Sequence, residues 1–203
     1  VPEYSRHSLE SLRQPLEDKV ITIARANKTV TYPANFMLIA SMNPCPCGNY
    51  GSKTKECTCT VTQIQNYLHK LSGPLMDRID LHVEVDSVSY GELVSEETAE
   101  PSSKVKERIN AARAVQAERF TGQDIRTNSQ MSAQLTKKYC ALDGKGNALM
   151  ASAFRNLQLS ARARDRILKV ARTIADLEGS ADISAKHVAE AVQYRSLDKK
   201  YRV

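Results

Sequence analysis

The sequence contains no tryptophan, and aromatic residues make up only 5% of its 203 residues. A surface on which stacked aromatic rings bind single-stranded nucleic acid is therefore not expected. No apolar run approaches the roughly 20 residues that span a bilayer, and no cationic and apolar leader opens the chain. These absences predict a cytoplasmic protein that has no membrane partner.

The phosphate-binding motif G-x-x-x-x-G-K-[ST] is also missing. The one Gly-Lys pair is Gly144-Lys145, and Tyr139 stands where the first glycine of the motif belongs. No run of four apolar residues leads into Asp-Glu, the usual source of a carboxylate that holds Mg²⁺. We therefore expect no ATP hydrolysis by this polypeptide alone. Its start at Val1-Pro2, without an initiator methionine, predicts that it is a piece of a longer protein.

What is present is the composition of a folded domain, with 41% hydrophobic and 26% charged residues. The charge is unevenly divided. Residues 1–100 hold nine Lys and Arg against thirteen Asp and Glu, whereas residues 101–203 hold twenty against ten. The basic second half could face phosphates, although charge alone favours the solvated faces of ordinary helices.

The first half has the pattern of mixed α and β structure. Ser5 is a candidate N-cap for a helix with leucines at helical spacing, which Pro15 disrupts near its end. Residues 20–24 and 29–32 alternate in polarity like strands. The polar stretch 25–28 between them suits the tip of a hairpin.

Two continuous apolar runs in this half, residues 36–40 and 79–85, have the length of a strand. Such runs are typical of parallel strands that are covered on both faces. Residues 88–101 are acidic and polar and predict a connector. The sequence thus predicts an α/β domain over residues 1–102.

The second half, residues 103–203, is predicted to be all-α. The predicted helices cover residues 104–120, 132–142, 147–157 and 160–178, and a last one opens at Ser184. Gly144-Lys-Gly146 is predicted to be a turn between the second and third of these helices. The helix over residues 160–178 has the clearest apolar stripe, and Gly179 stands where a helix commonly ends.

Two polar side chains stand beside the predicted buried strands, where α/β sheets bind ligands. Asn43 follows the first run and could hold a water molecule or a phosphate oxygen, or it could simply form an Asn-Pro turn. Arg78 precedes the second run and offers a planar fork of donors that suits phosphate. The alternative for Arg78 is a surface ion pair with Asp77 or Asp80.

Four cysteines, Cys45, Cys47, Cys57 and Cys59, fall within fifteen residues. Paired thiols at both ends of a glycine-containing loop could bind a tetrahedral zinc ion, which would be structural because no ligand position stays open. The C-x-C spacing is less common than C-x-x-C. Disulfides and four reduced thiols in a compact loop are the alternatives. Cys140 is isolated in an apolar helical segment and is predicted to lie in a core.

Several long segments, taken together and in this order, resemble the magnesium-chelatase-like AAA+ ATPases, and in particular their bacterial competence-type members. These segments are residues 5–18, 36–48, 71–85, 159–177 and 187–195. The resemblance covers nearly the whole chain. It implies the later strands of an AAA+ core followed by a helical lid, as the C-terminal part of a hexameric ring motor that uses ATP and Mg²⁺.

The resemblance also implies roles for individual residues. Asn43 would be the sensor 1 residue, which orients the water that attacks the γ-phosphate. Arg78 would be the arginine finger, which enters the nucleotide site of the neighbouring subunit and stabilises charge in the transition state. Arg162 would be the sensor 2 residue of the lid, with Arg164 and Arg166 as competitors because the helix phase decides which of them faces phosphate.

The function implied by the resemblance is DNA remodelling by a branch-migration helicase. Residues 20–33 would form a hairpin that lines the pore, with Arg25 and Lys28 as contacts to the nucleic-acid backbone, although an ordinary polar hairpin tip is equally compatible. A magnesium-chelatase motor subunit and a non-catalytic, zinc-stabilised module that binds nucleic acid or protein remain the alternatives. Since the first strands of this fold are not in the sequence, an open sheet edge and self-association are expected.

Overall fold

The computed structural model describes residues 1–26, 28–52, 54–86, 88, 90–95 and 99–195. These residues form two compact units, residues 1–79 and 80–195. The long helix that opens at Ser102 lies within the second unit, and the functional domain boundary near residue 102 stays a prediction. Within the described ranges, no helix combines the length and the apolar character that crossing a bilayer would require.

The first unit contains short helices and one hairpin. Its elements are α1 (Arg6–Ser11), α2 (Arg13–Asp18), β1 (Val20–Arg25), β2 (Lys28–Pro33), α3 (Val61–Leu68) and α4 (Gly73–Met76). The predicted hairpin is confirmed, and its antiparallel register runs from the pair Val20–Pro33 to the pair Arg25–Lys28. Ser5 caps α1 as predicted, because its Oγ accepts the backbone N–H of Ser8 at 3.1 Å.

Pro15 interrupts the first helix, but earlier than the sequence suggests. α1 ends and α2 begins at Leu12, three residues before the proline, although Leu12 itself keeps right-handed helical backbone angles. Proline has no N–H to donate to the carbonyl of Ser11, and its ring conflicts with that carbonyl. The break therefore falls one turn before Pro15 rather than near the end of the predicted helix.

The prediction that residues 36–40 form a strand buried on both faces is wrong. Leu38 and Met42 pack against the small apolar core of the first unit, whereas Met37 and Ile39 are each 83% exposed. Burial on both faces needs covering elements on two sides and strand neighbours at both edges. Among the described residues, β1 and β2 pair with each other and no strand pairs with this run.

The same correction applies to residues 79–85. Val83 is 63% exposed and Val85 is 86% exposed, and this run is not part of a sheet in the described structure. The backbone N–H of His82 instead donates to the carbonyl of Tyr194 at 2.8 Å. The described chain is therefore rich in helix with one small antiparallel sheet, and the AAA+ core stays an inference from resemblance.

The predicted connector contains one short helix, α5 (Tyr90–Leu93). Residues 89 and 96–98 of the connector segment lie outside the described residues.

The second unit is helical, as predicted. Its remaining elements are α6 (Ser102–Arg119), a single 3-10 turn (Asn128–Gln130), α7 (Ala133–Tyr139), α8 (Gly144–Asn156), α9 (Ala161–Glu178) and α10 (Ala185–Gln193). The apolar core of this unit is built around α9 and includes Cys140, which is 4% exposed and occupies the predicted core position.

The start of α8 differs from the prediction. Gly144 to Gly146 form the first turn of α8 and not a separate turn, because the Oδ1 atom of Asp143 accepts the backbone N–H of Gly146 at 2.6 Å and caps the helix. The predicted end of α9 is confirmed: Gly179 has φ +73°, a left-handed conformation that glycine adopts without strain.

A buried carboxylate, that of Asp176, lies within the helical unit. It accepts hydrogen bonds from Arg119 Nη1 at 2.7 Å, Asn128 Nδ2 at 2.8 Å and Arg172 Nε at 3.0 Å. Burial alone would raise the pKa of Asp176, but these donors and the two guanidinium charges lower it below its ordinary value. The carboxylate therefore stays ionised inside the bundle.

Candidate functional site

Asn43 lies where the run that packs through Leu38 and Met42 leaves the small core, and its side chain is exposed. The amide carbon and nitrogen of Asn43 are 4.0 Å from the position that a Cβ atom would occupy at Gly48. The turn beneath the amide is closed by a 3.1 Å hydrogen bond from the N–H of Gly48 to the carbonyl of Cys45. Gly48 has φ +82°, so the residue that permits this turn also leaves room for the amide.

The backbone of Asn43 is in contact with Tyr67 of α3. Tyr67 is 8% exposed. Burial raises the pKa of Tyr67 and the charge of Glu3 adds to this rise, whereas the backbone N–H of Asn43, which hydrogen-bonds to the phenol oxygen, opposes it. Tyr67 was not predicted from the sequence to be part of this site. The capping box formed by Thr60 and Gln63, which starts α3 directly after the fourth cysteine, is the signal that could have placed it on a helix.

The four clustered cysteines bring their Sγ atoms within 4.8 Å of one another. The Sγ of Cys45 lies 3.4 Å from that of Cys47 and 3.7 Å from that of Cys57, and the last two are 3.6 Å apart. All are free thiols, and these separations far exceed a disulfide bond of about 2.05 Å. Sulfurs at about 2.3 Å from a tetrahedral zinc ion are about 3.8 Å apart. The group could therefore hold a metal ion such as zinc.

Backbone N–H groups point at these sulfurs. The N–H of Tyr50 donates to the Sγ of Cys45 at 3.3 Å, and the N–H of Cys47 donates to the Sγ of Cys59 at 3.4 Å. Donors of this kind stabilise negative charge on sulfur. Because the thiolate is the form that binds metal ions, the surroundings of the group suit a cation.

The thiols differ in acidity. Backbone N–H groups of Asn49 and Thr58 lower the pKa of Cys47 to about 5. The backbone N–H of Cys59 lowers the pKa of Cys57, but burial and the neighbouring thiols outweigh it and raise that pKa to about 12. Negative charge therefore forms more readily on the sulfur of Cys47 than on that of Cys57.

Arg78 is anchored inside the first unit. It follows α4, which Ser72 caps by accepting the N–H of Leu75 at 3.2 Å. The side chain of Arg78 is only 10% exposed, its guanidinium forms an ion pair with Glu17 of α2, and its Nη1 donates to the carbonyl of Pro74 at 2.6 Å. Glu17 was not identified from the sequence as its partner, since the two residues are 61 positions apart.

The three arginines at the start of α9 have different surroundings. Arg162 and Arg164 are exposed in the first turn, and Arg164 pairs with the adjacent Asp165 at 3.1 Å. Arg166 is partly buried and forms an ion pair with Asp80. Arg166 therefore has an ion-pair partner within the second unit. The role of Arg162 as the nucleotide contact stays a prediction.

The hairpin presents two cations at its tip. Arg25 and Lys28 are both exposed and face each other across the last pair of the ladder. Residues on alternate positions share a face, and apolar pairs continue this face away from the tip. These are Ile21 with Tyr32 and Ile23 with Val30.

The first unit thus brings together Asn43, Tyr67 and the four thiols. Arg78 is held by its ion pair with Glu17 of α2, and Arg162 belongs to the second unit.

Two family models match the chain. Residues 1–93 match the model described as magnesium chelatase, subunit ChlI, and residues 99–195 match that of the ChlI C-terminal region. The two matches together leave only short stretches of the sequence uncovered.

Individual proteins are similar over almost the whole chain. The chain is 40% identical over 199 residues to competence protein ComM of Haemophilus influenzae, a match that covers 97% of this chain and 38% of that protein. It is 40% identical over 200 residues to the uncharacterized protein YifB of Salmonella typhimurium, a match that covers 98% of this chain and 38% of YifB. An uncharacterized protein of Mycobacterium bovis is 36% identical to the chain over 193 residues, and this match covers 95% of the chain and 38% of that protein. The chain therefore spans 38% of the length of these curated relatives.

Proposed function

This chain belongs to the family of the magnesium chelatase subunit ChlI, and on that premise we propose that it is the C-terminal portion of an ATP-driven AAA+ ring motor that remodels DNA. The observation that carries the proposal is the 40% identity to a protein named for competence, which extends over 97% of the chain. The exposed cationic hairpin tip supports DNA as the substrate. A motor subunit that serves porphyrin metallation is less well supported. Such a subunit would need neither the similarity to a competence protein nor a cationic hairpin tip.

In this motor, Asn43 orients the attacking water. Its amide is exposed and uncharged, and it offers both donors and an acceptor. ATP and Mg²⁺ supply the phosphoryl group and its charge neutralisation. The phosphate loop and the magnesium carboxylates are not in this sequence, so they would come from another segment of the complete protein.

Arg78 acts on the nucleotide of the neighbouring subunit in the proposed hexamer. Its ion pair with Glu17 and its bond to the Pro74 carbonyl hold the guanidinium in a defined place. A guanidinium that is already held in place loses less conformational entropy when it binds the transition state than a freely rotating side chain does. Arg162, exposed on the first turn of α9, contacts the nucleotide from the lid.

The test compares ATP turnover by the 203-residue chain with turnover by the protein translated from its whole gene. We expect turnover only in the longer protein, whose additional sequence contains a phosphate-binding loop. ATP hydrolysis by the 203-residue chain, or a whole gene without such a loop, would contradict the motor function.

The four thiols hold a structural zinc ion in this proposal. The Sγ separations of 3.4 to 3.7 Å among Cys45, Cys47 and Cys57 are close to the edges of a zinc tetrahedron, and backbone N–H groups already point at sulfur. Four protein ligands leave no position for water, so the ion would organise the loop and not take part in the chemistry.

Metal analysis of protein purified without chelator tests this part. We expect about one zinc per chain, lost in Cys57→Ser and retained in Cys140→Ala. Cys140 is the matched control because it is a buried cysteine of the other unit. Zinc well below half an equivalent, or equal loss in both variants, would contradict a site built from the four thiols.

A further inference from the structure

We propose that the four-cysteine group positions Asn43, so that metal occupancy sets the orientation of the amide that the motor uses. This inference rests on the proposed function for the role of Asn43, and on the proposed zinc for the ion. Tyr67 is a positioning residue in the connection between the four thiols and the Asn43 amide.

The first part of this connection acts on the side chain of Asn43. Cys45 is fully buried and lies two residues after Asn43. The turn from Cys45 to Gly48 carries two of the four thiols, and the Asn43 amide lies against it at 4.0 Å from the Gly48 Cβ position. Any force that fixes Cys45 and Cys47 therefore fixes the surface on which the amide rests.

The second part acts on the backbone of Asn43. The backbone N–H of this residue meets the phenol oxygen of Tyr67, which lies on α3. The first helical residue of α3 is two positions after Cys59, and the N-cap of the helix, Thr60, is directly bonded to that cysteine. Cys59 in turn accepts the N–H of Cys47 at 3.4 Å. The fourth thiol thus lies directly before the capped start of the helix that carries Tyr67.

Both contacts to Asn43 consequently run through the same four sulfurs. A metal ion bonded to all four would close the loop over residues 45–59 and hold its two ends together. Without the ion, the turn and the end of the loop before α3 are joined by hydrogen bonds such as the one from the N–H of Cys47 to the Sγ of Cys59, which are weaker than metal–sulfur bonds. The amide would then keep its covalent place in the chain and lose its fixed orientation.

The experiment follows the side-chain amide of Asn43 by NMR in the 203-residue chain labelled with ¹⁵N-asparagine, and Asn43→Asp identifies its signals. We expect zinc removal with a chelator to shift or broaden these signals and zinc addition to restore them. The amide of Asn128, which donates to Asp176 in the second unit, is the internal control and should not move.

Two tyrosine variants separate positioning from general stability. Tyr67→Phe should keep about one zinc per chain and still shift the Asn43 signals. Tyr50→Phe should change neither, because Tyr50 contributes only its backbone N–H to Cys45 and its ring is 43% exposed. In the complete protein, Tyr67→Phe should lower kcat for ATP more than it changes KM.

Three results would overturn the inference: zinc leaves while the Asn43 signals stay in place, Tyr67→Phe leaves them at the wild-type position, or the signals of Asn128 move together with those of Asn43. A chain that binds no zinc at all would also overturn it. Failure of the motor function is recognised separately, since it is measured as missing ATP turnover in the complete protein.

Discussion

Arg119 and Asp176 form a bidentate ion pair that joins α6 to α9 inside the helical bundle. Nη1 of the arginine donates to Oδ2 at 2.7 Å, and Nη2 donates to Oδ1. The carboxylate has no exposed surface and also accepts hydrogen bonds from Arg172 and Asn128. A single buried anion therefore serves two guanidiniums and one amide, and the bundle depends on it.

We expect Asp176→Ala to lower the free energy of unfolding of the chain by about 3–5 kcal/mol, because it leaves buried guanidinium charge uncompensated. Urea denaturation followed by circular dichroism measures the change. Asp165→Ala is the matched control: its exposed pair with Arg164 should contribute no more than about 1 kcal/mol. Similar losses in both variants would contradict the importance of the buried pair.

The stability contributed by Asp176 should depend on pH. The pKa of this carboxyl is lowered in the folded state from its ordinary value of 3.8, so its contribution is complete above that value and is lost as pH falls through the lower folded pKa. The difference in unfolding free energy between the wild type and Asp176→Asn should therefore be constant near neutral pH and shrink in strong acid. A difference that grows as the pH falls would have the wrong sign.

Arg78→Ala should reduce kcat for ATP in the complete protein at least about 10³-fold, the usual contribution of an arginine finger. Steady-state turnover measures it. Arg13→Ala is the control, since Arg13 lies in the same unit and forms a partly exposed pair with Glu10. Mixing the inactive variant with a phosphate-loop variant should restore some turnover if Arg78 acts in trans, and no restoration would argue against a finger that acts on the neighbouring subunit.

Replacement of both cations at the hairpin tip should weaken DNA binding and its salt dependence. For Arg25→Ala/Lys28→Ala we expect the slope of log Kobs against log salt to fall by about 1.4–1.8, as for two lost phosphate contacts. Titration of branched DNA at several salt concentrations measures the slope. Arg6→Ala/Arg13→Ala removes the same charge from the same unit away from the tip, and an equal fall in that variant would show a diffuse charge effect.

The sequence predicted well those elements whose signals are local. The hairpin over residues 20–33 and the helix from Ser160 to Gly179 follow from alternation, capping and a terminal glycine, all of which act within a few residues. The grouping of the cysteines was likewise foreshadowed by spacing alone, because a loop of fifteen residues with two left-handed glycines can bring its ends together.

The burial of side chains and the identity of their contact partners were predicted less well, because both depend on distant parts of the chain. The run at residues 36–40 has the composition of a doubly covered strand, yet Met37 and Ile39 are exposed because the described residues cover only one side. Glu17 and Tyr67 could not be assigned to Arg78 and Asn43 from the sequence, since these contacts arise only from tertiary folding.

Arg172 has a mechanical consequence for the helical unit. Besides Asp176, its guanidinium donates to the carbonyls of Ala181 at 2.8 Å and Ser180 at 2.6 Å, in the short link between α9 and α10. This clasp prevents the link from acting as a hinge. α9 and α10 should therefore move as one rigid body. A displacement of Arg162, at the start of the roughly 27 Å long α9, would then also rotate α10.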